Sequence, residues 1–321
     1  MWNKIKTAMC AKKVKRRFIP RECNHVYQRG VNGFNIFYDR EDFLVCYMIL
    51  TVVARRRNVK IMEVCFMFDH IHILLDSQSC EDMAAFIRDY TSEFVRVYNS
   101  SIGREGQLFH KSFGSAPKQG SKKMRSIIVY IGNNPVEKEL CRYAEDYRWT
   151  FLRYMVCPHP FSVNIPARKR SRRLVRSMKY VDVVAQSGNY LNYCQLYNVF
   201  DGLSMDEVEF VTDYIVMKYY PFDNGRLLSY YNDWHQMTEA MHSTAGSEHD
   251  IVEHWYHRPD DIYIQMADYV KDRFGITPLR RVITLPASQK KALLGELRAN
   301  VGATSYEACK FLHLDIAQQA K

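Results

Sequence analysis

The chain has 321 residues and a mass of 37.9 kDa, a length that suggests about two domains. Hydrophobic residues make up 47% and charged residues 25%, which is ordinary for a globular protein and excludes disorder as its main state. The net charge of +10 is unevenly spread: residues 1–180 carry 33 Lys and Arg against 16 Asp and Glu, a net +17, and residues 181–321 carry 12 against 19, a net −7. A basic part of this strength predicts a polyanionic partner. Nucleic acid is the commonest, because each neutralised phosphate releases a counterion.

The longest nearly unbroken apolar run, Phe43 to Ala54, is shorter than the roughly 20 residues of a membrane helix, so no membrane partner is expected. No apolar segment follows the basic N-terminus, which argues against a secretory signal. The nine cysteines are scattered and contain no C-x-x-C pair. Neither a disulfide framework nor a cysteine zinc site is expected, and the expected setting is the cytoplasm, at the nucleoid.

Residues 1–22, with eight Lys or Arg and one Glu, read as a flexible basic arm. Strand signals run from His25 to Val31, Asn32-Gly33 signals a turn, and Phe34 to Tyr38 is again strand-like. Asp39 to Arg57 reads as a buried helix, acidic at its start and basic at its end. Val59 to Phe68 and His70 to Leu75 read as strands. Ser79 to Asp82 opens a helix in which Met83, Phe86, Ile87, Tyr90, Phe94 and Val97 recur at helical spacing. Gly103 to Gly120 reads as a loop with a short strand at Leu108 to Phe113, and Ser121 to Asn134 as a helix stopped by Pro135.

The order β-α-β-β-α-β, followed by one more helix, predicts an α+β ferredoxin-like sandwich over residues 23–157. Helices cover one face of its antiparallel sheet, and the other face is open to hold a site. Residues 158–180 read as a basic linker, and residues 181–321 as a mostly helical, acidic C-terminal domain. Within it, residues 288–314 read as two short helices, the second opened by a Thr304-Ser-Tyr-Glu307 capping box. They form either a helix-turn-helix or a packed helical pair. His242, His249, His254 and His257 are a weak zinc candidate, since no cysteine joins them.

The sharpest chemical signal is Asp69-His-Ile-His-Ile-Leu-Leu75. On a strand, His70 and His72 share one face, about 7 Å apart, and Ile71, Ile73 and Leu75 share the other. Two neutral imidazoles so placed can hold one divalent metal, although H-x-H pairs also occur by chance. In the helix 121–134, Met124, Ile127, Ile128 and Ile131 form the core stripe. Tyr130 lies roughly 100° round from it, flanked by Lys123 and Asn134. Asn134 also reads simply as the helix end.

Five segments in order resemble one family. They are His25-Val-Tyr-Gln-Arg-Gly30, Cys65-Phe-Met-Phe-Asp-His-Ile-His-Ile-Leu-Leu75, Gly106-Gln-Leu-Phe-His110, Tyr130-Ile-Gly-Asn-Asn-Pro-Val136 and Tyr147-Arg-Trp149. Together they resemble the HUH single-strand DNA transposases with one catalytic tyrosine, and among these most the REP-associated tyrosine transposases. The resemblance implies Tyr130 as the nucleophile, and His70, His72 and Asn134 as ligands of Mg²⁺ or Mn²⁺. It further implies cleavage and rejoining of single-stranded DNA, at hairpin-forming ends, through a 5′-phosphotyrosine, by a monomer or homodimer. Three positions depart from the family pattern: Phe68-Asp69 where Pro-Asn is usual, Gly132 where His is frequent, and Ser112 where a basic residue is frequent.

Phosphate contacts are expected from Lys123 and from Arg168, Lys169, Arg170, Arg172 and Arg173. The alternatives to a transposase are a domesticated or non-catalytic DNA-binding regulator on the same scaffold, a plasmid-type HUH replication initiator or relaxase, and a ferredoxin-like RNA-binding module. The combination of Tyr130, His70 and His72 favours catalysis, because a pure binder has no need of all three.

Overall fold

The computed structural model describes residues 17–243, 251 and 258–315. Strands β1 (Cys23–Arg29), β2 (Lys60–Phe66), β3 (His70–Asp76) and β4 (Gly114–Lys118) form one sheet in the order β2-β3-β1-β4, every neighbouring pair antiparallel. Helix α1 (Arg40–Arg56) joins β1 to β2, and α2 (Cys80–Ile102) joins β3 to β4, which gives the expected ferredoxin-like arrangement. Both helices begin where the sequence signals them. The Asp42 carboxylate accepts the N–H groups of Tyr38 and Asp39 at 2.9 and 3.0 Å, and Ser79 Oγ accepts the N–H of Asp82 at 3.0 Å.

Among the described residues, the α-helices that follow β4 are α3 (Gly120–Glu137), α4 (Arg172–Gln186), α5 (Tyr193–Phe200), α6 (Met205–Tyr219), the short α7 (Asn224–Leu228), α8 (Trp234–Ser243), α9 (Asp261–Phe274), α10 (Ala287–Glu296) and α11 (Ser305–Leu312). Strand alternation sorts the sheet into two faces. Val26, Val64, Ile71, Ile73 and Leu75 enter a core with α1 and α2, and that core continues into Leu174, Leu196, Phe210, Met266 and Phe311 of the C-terminal helices. Cys23, Cys65 and Leu74 enter a second core with Ile127, Ile128 and Ile131 of α3, Leu227 of α7, and Met237 and Met241 of α8.

The second face is therefore covered, not open as expected. The apolar stripe of α3 needs a surface to bury, and the sulfur-rich side of the sheet supplies it. Pro135 does not stop α3. It lacks only its own N–H, and the helix runs on to Glu137, with Lys138 N–H bonding Asn134 O at 3.3 Å. The fourth strand is Gly114–Lys118, while Phe109 makes an isolated bridge with Gly30. As an edge strand, β4 tolerates Pro117. Phe34 to Tyr38 lies outside the sheet, with the N–H groups of Ile36 and Phe37 on Phe68 O.

The C-terminal half also departs from expectation. The segment 158–180 is not a linker throughout. Ser171 caps α4, its Oγ accepting the N–H of Leu174 at 3.0 Å, and Leu174, Ser177 and Val181 are buried. In the segment 288–314, the six residues of α11 from Glu307 to Leu312 are buried, and its accessible residues are Ser305 and Tyr306 at the helix start. Among the described residues, no helix is long and apolar enough to cross a membrane.

Glu63 is an exception in the second core. Its carboxyl is buried beside Gly132 of α3, and among the described residues nothing hydrogen-bonds either oxygen. Burial pushes its pKa well above the ordinary carboxylate range. Above the unfolded value of about 4.3, the folded state holds a proton that the unfolded chain has released, so stability falls as pH rises until the folded group ionises. The loss is about 1.4 kcal/mol per pH unit within that window. Glu63→Met removes the titration and is expected to raise the Tm, by a margin that widens from pH 5 to pH 8. A thermal denaturation series across that range checks it, and a margin that does not change with pH would refute the assignment.

Candidate active site

In the middle of the sheet, β1 and β3 pair with Tyr27 opposite His72 and Arg29 opposite His70. Opposed residues share a face, as do residues two apart, so His25, Tyr27, Arg29, His70 and His72 project together. From above this face, α3 presents Tyr130 and Asn134, one helical turn apart.

The ring centres of His72 and Tyr130 lie 5.6 Å apart, those of His25 and Tyr130 6.1 Å, and those of His70 and His72 4.9 Å. Tyr27 stands 5.4 Å from His70 and 5.2 Å from His72. His70 Nε2 lies 3.4 Å from Asn134 Oδ1, and His25 Nε2 lies 2.9 Å from His72 Nδ1. The structure thus brings together Tyr130, His70, His72 and Asn134. His25, Tyr27 and Arg29 join them, as the H-x-Y-x-R alternation of β1 dictates.

Burial governs the electrostatics. His72 is fully buried, and burial, reinforced by His70 and His25, holds its pKa well below the ordinary imidazole value, so the ring is neutral with a lone pair to offer. At Asp69 burial opposes ionisation, but Lys310 and His70 outweigh it and keep the carboxyl well below its usual range. The carboxylate is then a pure acceptor, and His70 Nδ1–H donates to Asp69 Oδ1 at 2.6 Å. On the other side, Lys310 Nζ donates to Asp69 Oδ2 at 2.7 Å.

Two imidazoles and an amide oxygen form a donor set that fits a divalent ion. Ligand atoms at bonds of about 2.1 Å around one ion lie about 3 Å apart, close to the His70–Asn134 separation. Among the described residues, no group of three His, Cys, Asp or Glu side chains could hold a metal. An ion here would therefore need Asn134 as its third protein ligand.

Two of the departures from the family pattern face the C-terminal helices. A Cβ at position 132 would lie 2.9 Å from Met241 Cε of α8, the movable end of a flexible side chain. Asn133 Nδ2 fastens the same contact by donating to Met241 O at 2.8 Å. At the second, Asp69 meets Lys310, which an asparagine would not hold as an ion pair.

The basic residues behave differently. Lys123 is exposed in the first turns of α3, two turns before Tyr130. Arg168, Lys169 and Arg172 are exposed, but Arg170 Nε donates to Ile165 O at 3.0 Å and its guanidinium lies over the Phe210 ring. Arg173 Nε donates to Asp201 O at 2.7 Å. Helix α4 packs on α6, α6 on α1, and α1 on the sheet face away from the histidines. The five residues from 168 to 173 thus stand apart from the tyrosine site. Among the four histidines considered for zinc, His242 pairs with Glu145 at 2.9 Å. His249, His254 and His257, like residues 1–16 of the arm, lie outside the described residues.

Comparison with known proteins agrees in part. Residues 34–134 match the family model described as "Transposase IS200 like". A solved structure of a REP-associated tyrosine transposase bound to a REP hairpin is 17% identical, covers 50% of this chain and 97% of its own, and superposes with a TM-score of 0.38. No curated protein matches the chain.

Proposed function

We propose, on the premise that residues 34–134 form an IS200-like transposase domain, that the chain cleaves and rejoins single-stranded DNA through a covalent bond to Tyr130. The observation that carries the reading is the meeting of Tyr130 with His70, His72 and Asn134 on one sheet face. His70 Nε2, the His72 imidazole and Asn134 Oδ1 are the groups that would hold Mg²⁺ or Mn²⁺. Bound there, such an ion supplies Lewis acidity to an oxygen of the scissile phosphate.

The chain's own residues do the rest. The Tyr130 oxygen gives up its proton and attacks phosphorus, and the P–O3′ bond breaks. The 3′ oxygen takes a proton and leaves as a hydroxyl, while the 5′ phosphate stays on the tyrosine. The phosphotyrosine keeps the phosphoester for rejoining, so no nucleotide cofactor is required. Tyr27 and Arg29 are the least buried members of the site and mark the side from which a strand reaches it. The likeness of the chain's motifs to REP-associated transposases supports hairpin-forming ends as the substrate.

The test is a denaturing gel of the protein with labelled single strands from the flanks of its own gene, plus Mg²⁺ or Mn²⁺. A protein–DNA band that survives denaturation, with a released strand ending in a 3′-hydroxyl, is expected. Intact DNA throughout would favour a non-catalytic binder on the same scaffold.

Salt dependence tests the charge asymmetry. Each phosphate contact on a single strand contributes about −0.7 to the slope of log affinity against log salt. Changing Arg168, Lys169 and Arg172 to Gln together is expected to flatten that slope by about 2 and to leave the adduct intact at saturating DNA. An unchanged slope would confine the DNA path to the side of Lys123 and Arg29.

A further inference from the structure

Building on the proposed metal-assisted reaction, we propose that Lys310, on the last described helix, is a positioning residue of the site that acts through Asp69 on His70. Lys310 lies 241 residues from Asp69 in sequence, yet its ammonium donates to Asp69 Oδ2 at 2.7 Å while Asp69 Oδ1 takes the Nδ1–H of His70 at 2.6 Å. The carboxylate is clamped from both sides. Lysine is almost never buried without a partner, and Lys310 is 6% exposed. Its Nζ also lies 5.2 and 5.7 Å from the ring centres of Tyr263 and Tyr306.

The backbones that carry the pair are themselves held. Tyr38 O–H donates to Phe311 O at 2.6 Å, His313 Nε2 to Asn35 O at 2.6 Å, and Asn35 N–H to Lys310 O at 3.3 Å. Asp69 O accepts the Gly30 N–H at 2.6 Å. Helix α11 is thus bolted to the segment that enters α1, and its lysine reaches a fixed carboxylate.

The consequence falls on His70. A metal-binding histidine is oriented by the partner of its other ring nitrogen, and loss of such a partner lowers metal affinity by about 10–100-fold. With Nδ1–H committed to Asp69, the ring turns Nε2 toward Asn134. Lys310 keeps the carboxylate in that pose, since one oxygen cannot leave the ammonium without the other leaving His70. The C-terminal helices thereby contribute to a site whose ligands all lie before residue 135.

The test uses the full chain and three variants: Lys310→Met, Asp69→Asn and the double Asp69→Asn/Lys310→Met. Mn²⁺ affinity is measured by titration, and the His70 tautomer in the metal-free protein by ¹⁵N-histidine NMR, with His70→Ala giving the assignment. Each single variant is expected to lose about 10–100-fold in Mn²⁺ affinity, because Lys310→Met abandons a charged carboxylate, and Asp69→Asn gives its one amide oxygen to the ammonium and turns its N–H donor toward His70. The double variant is expected to recover most of the loss, since the new amide oxygen at position 69 can take the His70 proton beside an apolar neighbour. The parent is expected to show a single Nδ1–H tautomer at His70, and Lys310→Met a mixture.

A pair that merely docks α11 would lower the Tm of the single variants without changing affinity or tautomer, and that result overturns the proposal. If Lys310→Met does not fold, Asp69→Asn and the double variant still decide: a double no better than Asp69→Asn alone rejects action through Asp69. If the parent binds no Mn²⁺, the metal reading fails, and the tautomer comparison alone decides the role of Lys310.

Discussion

Tyr130→Phe is expected to fold, to bind single-stranded DNA as the parent does, and to form no covalent adduct. The ring of Tyr130 is 7% exposed and packs in the core between α3 and the sheet. Phenylalanine keeps that packing and removes only the hydroxyl, a change of about 1 kcal/mol in stability. The chemistry has no such tolerance. A phenol, with an ordinary pKa of about 10, is already a weak nucleophile, and a phenyl ring is none. Loss of a nucleophile costs about 10⁴-fold or more in rate, even where the rest of a site persists. Denaturing gels read the adduct and filter binding reads the affinity. An adduct of parental intensity in the Phe variant would place the nucleophile elsewhere, with Tyr27, 5.2 Å from His72, as a candidate.

The sheet and the histidine pair were legible in sequence because strands have a period of two. Asp69-His-Ile-His-Ile-Leu-Leu75 puts chemistry on one face and aliphatic residues on the other by alternation alone, and β3 does so. The same period lay in His25-Val-Tyr-Gln-Arg29, where it places three more residues on the histidine face. What local pattern cannot carry is which surfaces meet. The stripe of α3 announces that the helix is amphipathic, but not that it buries the face expected to stay open.

Proline at 135 is a helix breaker by propensity, yet tertiary packing of α3 overrides it. The run of basic residues at 168–179 has the composition of a linker, while Ser171, Leu174 and Val181 have the cap and spacing of a helix, and packing on α6 decides for the helix. Lys310 gave no local signal at all. It is one lysine in a short helix, and its meaning comes from Asp69, far away in the chain.

His72→Ala and His70→Ala are each expected to abolish detectable Mn²⁺ binding and to slow cleavage by about 10³-fold, the rate equivalent of several kcal/mol of lost Lewis-acid stabilisation. His72 should be the more damaging. It is kept neutral by its surroundings, with a lone pair to offer, and is ringed by His25, His70, Tyr27 and Tyr130. Asn134→Ala should cost less, about 10- to 100-fold, because water can supply an oxygen ligand where an amide stood. An excess of chelator should stop the parent as completely as His72→Ala does, and added Mn²⁺ should restore the parent but not the variant. Circular dichroism and Tm separate these effects from unfolding, since Ala at position 72 leaves a cavity in a central strand. Cleavage that continues undiminished in excess chelator would mean that the histidines act without a metal, leaving His25 and His72, 2.9 Å apart and beside Tyr130, as the proton-handling pair.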